Sequence, residues 1–224
     1  GCNNLMEIRL PNTITYIGNN AFSYCKNIDN IVLPEKIITI GEKAFWQCEN
    51  LKTIEIPKAL KKLGENSFGN CNNLIKIIFN AEKCKTKKPA FGYTNNVIDL
   101  TIGNSVQIID NRIFEGMNID KIEIPQNVSE IRANAFANST LNSVKIQPSN
   151  IEIDNSAFDN TNWLKKQKDE IIYIDQVAFK YIGENFPAEL IIKDGTTAIA
   201  ANFMKGNAKL KEIKLPSSLE VIGS

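Results

Sequence analysis

The residues best suited to chemistry in this 224-residue chain are its five cysteines. Cys2, Cys25, Cys48 and Cys71 recur at steps of 23, so whatever positions one of them positions all four as a ladder. Such a ladder could pair as disulfides or hold a metal. Successive coils of a stacked chain lie about 4.8 Å apart with parallel side-chain directions. A disulfide needs Cβ atoms about 3.5–4.5 Å apart and converging, which disfavours pairing. A metal site fails because the chain has no histidine and no Cys-x-x-Cys spacing. The ladder is therefore expected to be free thiols that fill small apolar spaces. Thr94, Met117, Ser139, Thr161 and Asn207 take the same place in later coils. Cys84 stands outside the ladder, and its burial is left open.

Other chemistry has little support. Without histidine, neither a Ser-His-Asp nor a Cys-His arrangement can form within these residues. The acidic residues share no recurring position, and no glycine-rich phosphate loop is present. The expectation is a non-enzyme with no cofactor and no metal. A net charge of +1 provides no basis for nucleic-acid binding, and no run of about 18 apolar residues spans a membrane. Lys83, Lys85, Lys87 and Lys88 form a basic run that suits sulfated glycans or an acidic surface, although most such runs are simply solvated. Asn127-Val128-Ser129 and Asn138-Ser139-Thr140 fit the glycosylation pattern, but with 29 asparagines such matches arise by chance.

The elements that carry these residues follow one rule. Phe22, Phe45, Phe68, Phe91 and Phe114 lie 23 apart, with Phe136 and Phe158 following at steps of 22. A fixed period of this length marks a solenoid, whose coils bury their apolar sides only by stacking. In the coil spanning 40–57, Leu51, Ile54 and Ile56 alternate with polar Thr53 and Glu55, as a half-buried strand requires, and Pro57 ends it. The same frame reads Leu74/Ile77/Phe79, Val97/Leu100/Ile102, Ile119/Ile122/Ile124 and Leu141/Val144/Ile146 inward. Glycine after Ile17, Ile40, Leu63 and Ile222 supplies either a positive φ or a close backbone approach. The Ala-Phe segment that follows suits about one helical turn.

Two stretches depart from the frame. Lys85-Thr86-Lys87-Lys88 replaces the Ile-Gly signal, which predicts a looser outer face there. Between Phe158 and Met204, which takes the Phe place, the interval is 46. A hidden coil in this interval would point Lys166 and Lys168 into the core, where unpaired charge is costly. Ile171–Ile174, Asp175-Gln176 and Val177–Tyr181 read instead as a hairpin within an insert from about 162 to 187.

The motif Leu-x-x-Ile-x-Ile-Pro followed by Ile-Gly-x-x-Ala-Phe-x-x-Cys resembles the BspA-like leucine-rich repeat family of bacterial surface and secreted proteins. Phe79–Cys84 and the stretch from Trp163 through Tyr181 to Lys193-Asp194-Gly195-Thr196 are also like elements that recur in the family. The resemblance implies an α/β right-handed solenoid, here of about nine coils, with a parallel concave sheet and short helical or irregular turns on the convex side. It also implies an extracellular adhesive or binding role, and it brings no catalytic residues.

Residues 1–224 then form one solenoid, expected to be an excerpt of a longer array. The candidate ligand-binding residues point outward from the strands in two files. Thr53, Lys76, Asp99, Lys121 and Ser143 form one, and Glu55, Ile78, Thr101, Glu123 and Lys145 the other. The expected partner is a protein or glycan, and a structural spacer or an accessory domain of an extracellular enzyme is the alternative. Trp163, Tyr173 and Tyr181 of the insert, partly exposed, would make a rival site.

Overall fold

Alternation of apolar and polar residues becomes a short parallel strand in coil after coil of a computed structural model that describes residues 1–92, 94–184 and 187–223. Strands Thr53–Ile56, Lys76–Phe79 and Asp99–Ile102 pair in register, with Thr53 beside Lys76 and Lys76 beside Asp99. The same ladder continues through Lys121–Ile124 with Ser143–Ile146, and through Glu189–Ile191 with Glu212–Lys214. Ile54 and Ile56 are buried while Thr53 and Glu55 are exposed. A second ladder of two-residue strands carries Tyr16–Ile17, Thr39–Ile40 and Lys62–Leu63, and later Ile108–Ile109, Glu130–Ile131 and Glu152–Ile153. Together these make a parallel β-solenoid of about nine turns.

Proline ends the first strand because it has no N–H to donate, and its carbonyl opens a turn: the Leu60 amide donates to Pro57 at 3.2 Å. Glycine at the second ladder answers to space. A Cβ on Gly64 would lie 2.4 Å from the Glu42 nitrogen of the preceding coil, and one on Gly41 would lie 2.5 Å from Asn19 Oδ1. Of the two roles expected for these glycines, close approach is the one used at Gly41, Gly64 and Gly223, while Gly18 shows neither.

Positive φ falls on other residues. Asn20 and Tyr24, Lys43 and Gln47, Asn66 and Asn70, and Asn134 and Asn138 flank their phenylalanines in left-handed conformation. Asparagine tolerates that conformation better than most residues. Its consequence corrects the expected helical turn. Alternate amides point along the stack, so the Phe22 amide donates to Ala44 at 2.7 Å and the Tyr24 amide to Trp46 at 2.7 Å. An α-helix would commit those amides to its own carbonyls. The Ala-Phe segments are successions of turns, and the one α-helix among the described residues is Asn162–Lys165, N-capped by Thr161.

The phenylalanines form the spine. Phe22 to Phe45, Phe45 to Phe68 and Phe68 to Phe91 stack with ring centroids 5.3, 5.1 and 5.6 Å apart, and the stack runs on through Phe114 and Phe136 to Phe158. Phe22, stacked on one side only among the described residues, is half-buried. At the other end of the stack, Trp163 and Phe179 meet Phe158 edge-on. Outside the core, Asn27, Asn50 and Asn73 form a side-chain ladder of amide hydrogen bonds at 3.4 Å.

The irregular stretches also differ from expectation. Val97 is exposed and Ile98 takes its inward place, with the Ile98 amide bonded to Asn118 at 2.7 Å. The Lys85–Lys88 stretch is not loose. Asp110 stands in the glycine place of the next coil, and its buried carboxylate accepts from the Thr86 amide at 2.7 Å and from Arg132 at 2.7 Å. Ile171–Ile174 and Val177–Tyr181 pair antiparallel, and the hairpin wedges between two parts of the core. Ile172, Ile174 and Phe179 face one part, while Ala178 and Tyr181 face the part containing Leu190 and Phe203. The stack closes beside the wedge, where the Ala201 amide donates to Ile153 at 2.7 Å. Residues 185 and 186 of the expected insert lie outside the described residues.

Met204 keeps the backbone place of the phenylalanines, flanked by left-handed Asn202 and Gly206, yet Phe203 is the buried residue and Met204 is half-buried. Two substitutions test the packing. Phe68→Ala should cost about 3–5 kcal/mol and Gly64→Ala about 1–3 kcal/mol, both read as lowered urea midpoints by circular dichroism.

Candidate functional site

The thiol ladder is buried beyond its first member. All five cysteines are free, and Cys25, Cys48, Cys71 and Cys84 are buried while Cys2 is exposed. Cys48 and Cys71 lie 3.4 Å from the carbonyls of Phe22 and Phe45 in the preceding coil and donate to them. Burial, reinforced by the neighbouring Cys25, pushes the Cys48 thiol up to about 12, and burial with nearby Asp110 does the same to Cys84. A reactive cysteine needs the opposite shift. At the same position Thr161 binds the Phe158 carbonyl at 2.9 Å, whereas the buried Ser139 hydroxyl has no hydrogen-bond partner among the described residues.

The exposed side of the first ladder carries the ten sequence-selected residues. All point outward, and only Ile78 is half-buried. They do not form one site but fall into two hollows. Asp99, Thr101, Lys121, Glu123, Ser143 and Lys145 line a concavity of about 640 Å³ together with Gln147. Thr53, Glu55, Lys76 and Ile78 line a smaller one of about 220 Å³ with Asn30 and Val32.

Register decides the electrostatics of this face. Lys145 meets Glu123 of the preceding coil at 3.1 Å, and Lys76 meets Asp99 of the next at 4.0 Å. Gln147 also donates to Glu123 at 2.7 Å, and these hydrogen bonds, with Lys145's charge, hold the Glu123 carboxyl below its ordinary range. Lys121 has no ion pair among the described residues. Such an arrangement can offer hydrogen bonds and small apolar contacts to a macromolecule.

Gln147 was missed by the sequence reading. Its signal is the loss of proline after a strand: where Pro57 and Pro125 end their strands, Ile146 is followed by a side chain that reaches back over the face. Of the rival aromatic site, Trp163 and Tyr173 are half-buried as expected and Tyr181 is not exposed. Tyr181 is buried, Trp163 packs on Phe158 and Phe179, and the Tyr173 hydroxyl accepts from the Lys193 amide at 3.0 Å. No helix among the described residues is long and apolar enough to cross a membrane.

A family model described as "BspA type Leucine rich repeat region" matches in six copies over residues 1–119, 84–185 and 107–224. A leucine-rich repeat protein of known structure from Bacteroides ovatus is 21% identical, with a TM-score of 0.50, and the match covers 100% of this chain and 70% of that one. At that identity the likeness shows the fold. A leucine-rich cell surface protein from Faecalibacterium prausnitzii is 22% identical over 94% of this chain and 48% of its own, with a TM-score of 0.37. The pneumococcal vaccine antigen PcpA is 19% identical over 96% and 46% respectively, with a TM-score of 0.39. No curated protein matches the chain.

Two measurements test the thiol assignment. In native protein at mildly alkaline pH, one thiol of the five should react quickly with a disulfide reagent, and all five should react after denaturation. The raised pKa values preserve stability below the ordinary thiol value of 9.0 and withdraw it as pH climbs toward about 12. The thermal midpoint should therefore fall over that range, less so in Cys48→Val. Separately, Ser139→Cys should stabilise by about 1 kcal/mol, because it removes a buried unpaired hydroxyl. A raised urea midpoint would register it.

Proposed function

The chain belongs to the BspA-type leucine-rich repeat family, and from that premise we propose that it is a non-catalytic binding module of the cell surface or a secreted protein. In this reading residues 1–224 are one right-handed solenoid with 162–187 as its insert. Right-handed crossovers are the rule for parallel strands joined within one sheet. The exposed side of the first ladder is the concave face, and it engages a protein or glycan. The observation that carries the reading is the larger hollow, where Lys121, Glu123, Ser143, Lys145 and Gln147 present varied polar groups on a rigid sheet. Solenoids use extended surfaces of this kind for macromolecular recognition.

The test uses the whole chain against immobilised mucins, extracellular-matrix proteins and glycans, read by surface plasmon resonance. Saturable binding to at least one of them is expected. It should weaken by on the order of tenfold when Lys76→Glu, Lys121→Glu and Glu123→Lys are combined, since these charges face the partner. Binding indifferent to that triple reversal, in a variant with an unchanged circular dichroism spectrum, would falsify the concave-face reading and favour the spacer role.

A further inference from the structure

The early coils of the second ladder bring lysines together. Its outward file runs in register through Tyr16, Thr39 and Lys62, and a parallel bridge sets Lys85 directly beside Lys62. On the first ladder Lys76 meets Asp99 and Lys145 meets Glu123 in neighbouring coils. Here lysine stands beside lysine at one coil spacing, about 4.8 Å. Directly opposed like charges destabilise a sheet. Nothing in the packing requires them, because both side chains are exposed.

Adjacent groups reinforce the charge without cancelling it. Lys61, Lys62, Lys85 and Lys87 line one open groove of about 530 Å³ and make no ion pair among the described residues. Two carboxylates also line that groove. Glu65 is engaged by Lys88 at 2.7 Å, and Glu42 lies 3.6 Å from Lys43. At the far end of the groove Tyr16 is 62% exposed, a large aromatic with no packing reason to be there.

We propose that this groove binds an anionic polysaccharide, with acidic substituents on Lys62 and Lys85 and a sugar ring laid on the face of Tyr16. A ring with an apolar body and a polar edge suits the C–H face of a sugar. The short reach of the patch argues against nucleic acid, which calls for an extended basic track with several stacking aromatics. The site is separate from the sheet face proposed above, so either can fail without the other.

The probe is a size-defined heparin oligosaccharide titrated into the intact chain by calorimetry at about 0.15 M salt, where exposed charges are screened beyond about 8 Å. Saturable binding is expected. Combined Lys62→Glu and Lys85→Glu should weaken it by on the order of tenfold or more, and added salt should weaken it steeply. Tyr16→Ala should lower affinity while leaving the salt dependence unchanged, and combined Lys165→Glu and Lys168→Glu, exposed and outside both proposed sites, should leave heparin binding as in the wild type. The proposal is overturned by no saturable heparin binding, by a double lysine reversal without effect, or by tighter binding of a single-stranded oligonucleotide of equal length.

Discussion

Backbone amides of each coil bond to carbonyls of a neighbouring coil on the strand side and on the turn side alike. Ile38 donates to Thr15 at 2.8 Å on one side, and Phe22 to Ala44 at 2.7 Å on the other. That double lacing fixes the coil separation, and the separation then governs every side chain. A residue is forced against its own counterpart one turn away. Flat rings benefit, so phenylalanine stacks; amides benefit, so Asn27, Asn50 and Asn73 link into a ladder. Thiols gain burial but not the convergence a disulfide needs. Glycine is required where the backbones themselves come close, as at Gly64.

Departures from the repeat are met by specific substitutes that keep the lacing intact. Asp110 gives up the space of a glycine and in exchange satisfies the Thr86 amide, with Arg132 holding its charge. A lone buried carboxylate would be costly; one with a guanidinium and a backbone donor is not. The hairpin at 171–181 ends the aromatic stack by presenting Phe179 and Trp163 edge-on to Phe158, an arrangement that aromatic quadrupoles accept as readily as offset stacking. The core is thereby divided but not opened, because Tyr181 and Ala178 carry it onward into the later coils.

Functional potential lies in what the lacing leaves free, namely the outward residues of two ladders. The same spacing gives those two surfaces different characters. Around the hollows of the first ladder Lys76 meets Asp99 and Lys145 meets Glu123, which quiets that stretch of the face and leaves mixed polarity. Along the second, Lys62 and Lys85 meet with no acid between them. Selectivity in such a molecule comes from which residue types are repeated in register and which alternate.

Much was legible in the sequence. The 23-residue period located the spine phenylalanines and the ladder of thiols, buried from Cys25 onward, and the polar alternation identified Thr53, Lys76, Asp99 and Lys121 as outward. It did so because a repeated chain repeats its environment. What the period could not decide were contacts made between coils at non-equivalent positions: the Ile98-for-Val97 exchange, the Asp110 carboxylate, the burial of Cys84, the choice of turns over a helix, and the pairing of Lys62 with Lys85. Periodicity states which residues share an environment. Only the stacked structure decides what that environment contains, because it is built from a neighbouring coil that lies more than twenty residues away in the chain.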